Sequence, residues 1–392
     1  MRRVRNSSVN STRLTLYLAC ALASAACGEG SADPLAPSLG PTGSIQITTS
    51  TTGWNLDADG YVATVEGAMG AVSASGTTTI SGVPVGSRNV SLDGISPNCS
   101  VSGANPVTVQ VLDGATASVA FAATCALTHL QNQVVYSLWA GADADIFAAD
   151  PDGGRAVRLM TREGHDSYPR VSPDGRHVLV RGLSGGVGDI YSIAADGSGA
   201  TNLTDDAVKF DEFPTWSPDG SRIAFHRRES QGQLWEIYVM NADGTGQQSL
   251  TRGAGGGWPD WSPDGSKIVF TSYRDSDNEI YVMDTDGTNA TRLTNVQGSD
   301  IWARWSPDGA RIAFTSMRDG NREIYVMNAD GSGQVNLTLN SADDDSPVWS
   351  PDGTRLTFGS ERGGGYGTWI MNADGSQPTR ILDGVLVEDW AR

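Results

Sequence analysis

Residues 305–331 read WSPDGARIAFTSMRDGNREIYVMNADG, and this stretch contains the repeated unit that determines the fold. Its Ser-Pro-Asp-Gly motif occurs five times, at intervals of 44 or 45 residues. The five copies begin at Ser172, Ser217, Ser262, Ser306 and Ser350. A fixed period in this range indicates a solenoid, an array or a propeller.

Each repeat has the same internal order. An aromatic-rich run ends in Ser-Pro-Asp-Gly, an alternating segment such as RIAF (311–314) follows, and a second one, EIYVM (323–327), ends in a turn such as NADG. A short polar segment completes the unit. Proline fixes φ, aspartate caps the turn and glycine accepts positive φ, so both motifs predict tight turns. Four short antiparallel strands joined in this way are typical of a propeller blade.

Six blades are predicted, because the turn after the third strand occurs six times. Its aspartates are Asp152, Asp196, Asp243, Asp286, Asp330 and Asp374. The first unit, QVVYSLW from residue 133, lacks an innermost strand, which the last residues, VLVEDWAR (385–392), can supply. In that alignment Trp390 corresponds to Trp216, Trp261, Trp305 and Trp349. We therefore predict an all-β fold, with a six-bladed β-propeller over residues 127–392 that is closed by the C-terminal strand.

Residues 43–126 predict a second, smaller all-β domain. Short alternating runs such as SIQITTS (44–50) and VTVQVL (107–112) are separated by Gly, Pro and Asn-Asp turns at the spacing of a β-sandwich. Cys99 and Cys125 form an even pair in this segment, which predicts a disulfide in an oxidising compartment. The alternative is two buried free thiols.

The N-terminus predicts export. Four arginines precede an apolar stretch from Leu14 to Ala26, which is too short for a stable membrane span and typical of a signal peptide over residues 1–27. The run before Cys27 resembles a bacterial lipoprotein cleavage site, which would make Cys27 a lipid anchor; the alternative is plain cleavage after Ala25. Residues 28–42 are rich in Pro and Gly and predict a linker.

Charge narrows the class of partner. Lys plus Arg number 27 against 45 Asp plus Glu, for a net charge of −18 and a pI near 4.5. This balance argues against nucleic acid as a partner. Most of the negative charge lies in residues 127–392, so a basic or cation-bridged partner is expected for the propeller.

The repeats resemble those of TolB-type (WD40-like, PD40) propellers, in which the pattern carried here by residues 305–331 is typical. That resemblance covers about 260 residues and implies a periplasmic protein that contacts other envelope proteins, although similar propellers also occur in peptidases and sugar lyases. The chain departs from TolB by having a predicted sandwich and lipid anchor instead of an α/β domain. The phrase TTTISGVPVGSRNVSLDGI (77–95) resembles PEGA and carboxypeptidase-regulatory modules, which implies a spacer or adhesion unit.

The search for catalytic residues gives no candidate. The G-x-S-x-G pattern at 182–186 falls between two predicted strands, whereas this motif needs a strand-to-helix turn. The four histidines, His129, His165, His177 and His226, occupy unrelated repeat positions, which argues against a metal site. Asn55, Asp57, Asp59 and Glu66 match an EF-hand loop in spacing, but the predicted flanks are strands, and a capped β-turn is the favoured interpretation. We expect no cofactor and no metal.

Two sets of repeat-equivalent residues predict a binding site at one mouth of the channel. The first set lies six residues before the serine of the motif and consists of Asp166, Asp211, Asp300 and Asp344. The second set lies four residues before that serine and consists of Tyr168, Phe213, Trp258 and Trp302. Equivalent positions form a ring around a propeller axis, and carboxylates beside aromatic groups suit recognition of a protein segment or a sugar. The alternative is that the aspartates cap turns and the aromatic residues pack between blades.

We therefore predict an exported, lipid-anchored cell-envelope protein, periplasmic or in the outer membrane, whose monomeric propeller is a non-catalytic scaffold for an envelope protein. The alternatives are a polysaccharide lyase or hydrolase and a non-catalytic glycan binder, each using the channel mouth.

Overall fold

A computed structural model describes residues 40–53, 60–96, 98–140, 143–160, 164–184 and 186–392. The predicted all-β fold is confirmed, since every regular element in these ranges is a strand. The described part of the chain has no helix long and apolar enough to cross a membrane. The predicted signal peptide, the lipid anchor Cys27, almost all of the linker, and Asn55, Asp57 and Asp59 lie outside the described residues.

Two four-stranded sheets form the N-terminal region. Their strands are β1 (Thr42–Gly53), β2 (Tyr61–Val65), β3 (Ala68–Val72), β4 (Gly76–Pro84), β5 (Gly86–Asp93), β6 (Cys99–Ser102), β7 (Val107–Val111) and β8 (Thr116–Cys125). The sheet orders are β4-β1-β8-β6 and β3-β2-β5-β7. Alternating residues of both sheets, including Ile45, Tyr61, Val90 and Phe121, bury one shared apolar core. Cys99 and Cys125 are direct partners across β6 and β8 and form a disulfide bond.

The rest of the chain forms six four-stranded sheets. The first contains β9 (Val134–Ala140), β10 (Asp143–Ala149), β11 (Val157–Arg158) and the last strand of the chain, β32 (Val387–Trp390). The second contains β12 (Asp166–Val171), β13 (His177–Ser184), β14 (Val187–Ala194) and β15 (Thr201–Asn202). The third contains β16 (Phe210–Trp216), β17 (Arg222–Arg228), β18 (Glu236–Asn241) and β19 (Gln248–Ser249).

The remaining three sheets follow the same order. The fourth contains β20 (Gly257–Trp261), β21 (Lys267–Ser272), β22 (Glu279–Asp284) and β23 (Thr291–Arg292). The fifth contains β24 (Asp300–Trp305), β25 (Arg311–Ser316), β26 (Glu323–Asn328) and β27 (Val335–Asn336). The sixth contains β28 (Asp344–Trp349), β29 (Arg355–Ser360), β30 (Gly367–Asn372) and β31 (Thr379–Asp383).

The C-terminal strand joins the two ends of this region. β32 is antiparallel to β9, with Trp390 opposite Val134 and Val387 opposite Tyr136. Each innermost strand packs against the innermost strand of the next sheet, and β32 packs against both β28 and β12. Apolar clusters fill the spaces between neighbouring sheets. The sheets are therefore the blades of a propeller, and β32 covers what would otherwise be a free edge of the first blade.

The propeller has two chemically different faces. The lower face carries the Ser-Pro-Asp-Gly and Asx-Gly turns. The upper face carries two kinds of loop: those that join the second strand of a blade to the third, and those that join one blade to the next. The chain enters at the lower face, where Leu130 N donates to Gly175 O at 2.7 Å and Arg155 Nη1 donates to Gly53 O at 3.4 Å. The upper face is thus the side opposite the connection to the sandwich.

Candidate functional site

A β-bulge at the same position of five innermost strands shapes the upper mouth of the channel. The antiparallel register shifts there in β12, β16, β20, β24 and β28. The bulged residues Tyr168, Phe213, Trp258, Trp302 and Ser346 all have positive φ, between 50 and 56°. Such backbone is costly for residues other than glycine, and it persists where surrounding contacts hold it.

Side chains of the preceding blade supply some of those contacts. The backbone N–H of Ser346 donates to Thr315 Oγ1 at 3.0 Å, that of Trp258 to His226 Nδ1 at 3.3 Å, and that of Tyr168 to Glu388 Oε1 at 3.3 Å. Each of these bonds joins two blades and satisfies a donor that the bulge removes from the strand ladder. The bulges are therefore fixed by contacts between blades as well as within them.

The bulged aromatic residues form a continuous row over four blades. The rings of Tyr168 and Phe213 stack with centroids 3.7 Å apart, Phe213 meets Trp258 edge-on at 5.8 Å, and Trp258 meets Trp302 edge-on at 6.3 Å. The two edge-on contacts have the edge-to-face geometry that aromatic pairs favour, whereas Tyr168 and Phe213 lie nearly face to face. The structure thus brings together the four aromatic residues that the sequence analysis selected.

The row lines a cavity of about 170 Å³ at the upper mouth of the channel. On the side opposite the row the walls are Ser346, Val387 and Tyr366. Tyr366 comes from the loop RGGGYG (362–367), whose Gly363, Gly364 and Gly365 all have positive φ. Because Ser346 is small where the second to fifth blades have rings, the space above it is left for Tyr366. Repeat alignment missed this residue because it lies in a loop.

The four predicted aspartates do not line this cavity, and that part of the predicted site is wrong. Asp166, Asp211, Asp300 and Asp344 are fully buried. Arg227 binds Asp211 through Nε–Oδ1 at 2.6 Å and Nη2–Oδ2 at 2.7 Å. Arg318 binds Asp300 at 2.7 Å, and Arg362 binds Asp344. In these three blades the carboxylate at the start of the innermost strand points into its own blade, where an arginine at or just after the end of the second strand neutralises it.

Two other carboxylates face the cavity instead. Asp345 accepts a hydrogen bond from the Tyr366 hydroxyl at 3.0 Å and pairs with Arg322 at 3.3 Å. Glu388 accepts from the backbone N–H and the hydroxyl of Ser137 at 2.9 and 2.8 Å. Burial raises the pKa of both carboxyl groups, and burial together with the neighbouring Asp345 raises that of the Tyr366 hydroxyl.

Charged residues form the floor of the cavity. One repeat position carries Arg170, Thr215, Asp260, Arg304, Val348 and Asp389 in the six blades. Arg170 and Arg304 line both the upper cavity and a polar cavity of about 100 Å³ beneath it. Asp260 accepts from Trp305 N at 2.9 Å and lies 3.4 Å from Arg304, and burial raises its pKa to about 7. This repeat position therefore lies between the two cavities.

Three other candidates from the sequence analysis do not line the upper cavity. Of the G-x-S-x-G pattern, the described residues Gly182, Leu183 and Ser184 end β13 and Gly186 precedes β14, so the pattern is followed by a strand and not by the helix that the motif needs. His226 is buried beside Phe213 and Trp235, and burial lowers its pKa. Glu66 forms an ion pair with Arg88 at 2.6 Å. In the described ranges no group of His, Cys, Asp and Glu side chains is arranged to hold a metal ion.

Comparison with known proteins gives matches to TolB-type propellers. The family model described as the TolB beta propeller domain matches residues 207–301 and 236–385. The Tol-Pal system protein TolB of Anaeromyxobacter dehalogenans strain 2CP-C is 33% identical over 107 residues, which are 27% of this chain and 24% of that protein. The matched segments span only 24 to 36% of the length of the first curated relatives.

Two solved structures extend the similarity over the propeller. TolB from Acinetobacter baumannii is 24% identical, with a TM-score of 0.58 over 66% of this chain and 66% of that one. A putative TolB from Agrobacterium tumefaciens is 25% identical, with a TM-score of 0.54 over 60% of this chain and 88% of that one.

Proposed function

Because this chain carries a β-propeller domain of the TolB type, we propose that it is an exported cell-envelope protein whose propeller binds another envelope protein at the upper face. The proposal includes cleavage directly before Cys27 with acylation of that cysteine, or, as the alternative, plain cleavage after Ala25. The sandwich then serves as a spacer between the membrane and the propeller. The scaffold is proposed to be non-catalytic.

The observation that carries this proposal is the aromatic cavity together with the apolar residues around it. Large apolar side chains are exposed on the loops and strand ends of the upper face in several blades. They are Trp139, Val208, Leu234, Val296, Met317, Leu339 and Tyr366, with exposed fractions from 36 to 77%. Apolar groups grouped on one face mark an interaction surface, and aromatic residues in a cavity at its centre suit the anchor of a partner.

The position of the charges changes the expected chemistry of the partner. Asp211, Asp300 and Asp344 are neutralised by arginines, and Asp345 is paired with Arg322, so the upper mouth is not a strongly acidic ring. The acidic residues of the repeat are instead concentrated in the turns of the lower face. We therefore propose a partner segment that presents an apolar or aromatic side chain to the upper mouth, and the upper face needs no basic or cation-bridged partner.

The test is a capture experiment on detergent-solubilised envelope with the full mature protein. The upper-face variant carries Leu234→Ser, Val296→Ser, Met317→Ser and Trp302→Ala. The matched control carries Val335→Ser and Leu112→Ser, two exposed apolar residues on the outer strand β27 and next to β7 of the sandwich. We expect one envelope protein to be retained by wild type and control and reduced at least tenfold by the upper-face variant. Equal retention by all three proteins would exclude the upper face.

A second candidate, a non-catalytic glycan binder, is favoured by one observation. The row of rings stands beside Asp345 and Glu388, and this combination of a stacking surface with hydrogen-bond acceptors also suits a sugar. Titration with envelope oligosaccharides, followed by tryptophan fluorescence of wild type and Trp258→Ala, distinguishes the two. Saturable binding that Trp258→Ala abolishes would favour the glycan, and its turnover would indicate the lyase or hydrolase alternative.

A further inference from the structure

Histidine replaces a long cationic side chain at one position of the repeat. The second residue after each Ser-Pro-Asp-Gly motif is His177, Arg222, Lys267, Arg311 or Arg355, in chain order. All five lie at the start of the second strand of a blade, next to the lower face. The second blade is therefore the exception, and its difference is visible at the interface with the third blade.

In the third, fifth and sixth blades this cation covers the inner tryptophan of the next blade around the ring. The guanidinium carbons of Arg222, Arg311 and Arg355 lie 4.8, 4.7 and 5.3 Å from the ring centroids of Trp261, Trp349 and Trp390, respectively. Those three tryptophans are 3 to 6% exposed. A cation over an indole face is attracted by the ring quadrupole, so the repeat has a built-in guanidinium site at each of these interfaces.

At the interface between the second and third blades that site lacks its cation. Trp216 is partly exposed, and none of the cations in the described ranges lies over its ring. A cavity of about 370 Å³ opens there, lined by His177, Trp216, Asp174 and Asp219. Trp216 Nε1 donates to Arg170 O at 3.3 Å, which fixes the plane of the indole.

The two carboxylates of the cavity are ionised at neutral pH. Ser217 Oγ donates to Asp219 at 2.6 Å, and this bond, with others from Ser221, lowers the pKa of Asp219 to about 2. Ser172 Oγ donates to Asp174 at 2.6 Å and lowers its pKa in the same way. The cavity thus combines a tryptophan face with two negative charges from different blades.

We propose that this lower-face cavity binds a guanidinium group from outside the chain, namely an arginine side chain of a protein partner. The group would occupy the place over Trp216 that Arg222 occupies over Trp261. The site is independent of the upper-face function, because it lies at the other end of the propeller and uses none of the same residues.

The test uses the full mature protein labelled with 5-fluorotryptophan and followed by ¹⁹F NMR, with the Trp216 signal assigned through Trp216→Phe. The probe is N-acetyl-arginine methylamide, which presents the side chain as a protein would, and N-acetyl-citrulline methylamide is its uncharged counterpart. We expect a saturable shift of the Trp216 signal at millimolar arginine probe and at least tenfold weaker binding of the citrulline probe. Equal effects of the two probes would overturn the proposal.

Two variants at His177 complete the experiment. His177→Arg supplies the guanidinium internally, so it should weaken binding of the probe at least tenfold, while His177→Ala should retain it within about threefold. Binding to His177→Arg that equals wild type, or no saturation up to about 50 mM probe, would refute the site. Agmatine, a free guanidino compound, is tested in parallel, and tighter binding of agmatine than of the arginine probe would contradict a protein partner as the source.

Discussion

At the scale of single residues, the buried pairs Asp211–Arg227, Asp300–Arg318 and Asp344–Arg362 belong to the interior of their blades. The spacing placed Asp211, Asp300 and Asp344 next to the innermost strand, yet spacing alone does not give the direction of a side chain. The strand register gives that direction, because it makes Asp211 the cross-strand partner of Arg227. An arginine near the end of the second strand was the available signal, because a buried carboxylate requires such a partner.

The Asp211–Arg227 pair should therefore contribute to stability and not to binding. Arg227→Met leaves Asp211 as a buried charge without its partner, and we expect a loss of about 3–5 kcal/mol in the free energy of unfolding. Arg155→Met, which removes a largely exposed pair with Asp150, should cost less than about 1 kcal/mol. Urea unfolding followed by tryptophan fluorescence measures both. Similar losses in the two variants would show that burial does not determine the cost.

Asp260 gives a pH-dependent prediction. Its pKa is raised to about 7 in the folded protein, so folding favours the protonated group, and the stability linked to it is lost as pH rises from about 4 through 7. Asp260→Asn keeps an oxygen acceptor for Trp305 N without the charge. We expect the free energy of unfolding of the variant, measured by urea titration, to exceed that of wild type by roughly 1–4 kcal/mol at pH 8, with the difference vanishing toward pH 4. A difference that is constant over this pH range would argue against the raised pKa.

At the scale of strands, the repeat predicted the order and number of elements per blade, but not the bulges. Nothing in a Phe or Trp indicates positive φ. The proline that follows four of the five bulged residues, as in Phe213-Pro214, was a usable sign, because proline inside a strand is found at bulges. The aromatic row depends on this local distortion, and so its continuity could not be read from spacing.

The hydrogen bonds between blades that hold the bulges can be tested with two equivalent threonines. Thr315 and Thr271 are both fully buried, but Thr315 Oγ1 accepts from Ser346 N, whereas Thr271 Oγ1 has no partner among the described residues. Thr315→Val should cost about 1–3 kcal/mol, because it leaves a buried N–H unsatisfied, while Thr271→Val should be neutral or stabilising. Thermal unfolding of the two variants decides this, and equal effects would mean that the bond does not support the bulge.

At the scale of the whole molecule, counting turns was enough to predict that the last strand belongs to the first blade, because six third-strand turns stand against five Ser-Pro-Asp-Gly motifs. The sequence could not reveal the division into an apolar upper face and an acidic lower face. That division depends on which loops lie at each end of the strands, and loops such as RGGGYG do not repeat. The two proposed sites follow from the places where the repeats differ, Ser346 and Tyr366 above and His177 below.

The junction between the first and last strands should carry the stability of the entire propeller. Trp390 is 3% exposed, its Nε1 donates to Asn132 Oδ1 at 3.0 Å, and it lies under Arg355. Trp390→Ala therefore removes packing from the strand that the C-terminal end of the domain contributes to the first blade. We expect a loss of about 3–5 kcal/mol and an increased tendency to aggregate, because β9 would become a free edge when β32 detaches. Trp139→Ala, at a 68% exposed residue on β9, is the matched control and should change stability by less than about 0.5 kcal/mol. Calorimetry and light scattering on heating measure both effects. If Trp390→Ala unfolded like the control, β32 would not be needed to hold the ring closed, and the stability would have to come from the blades individually.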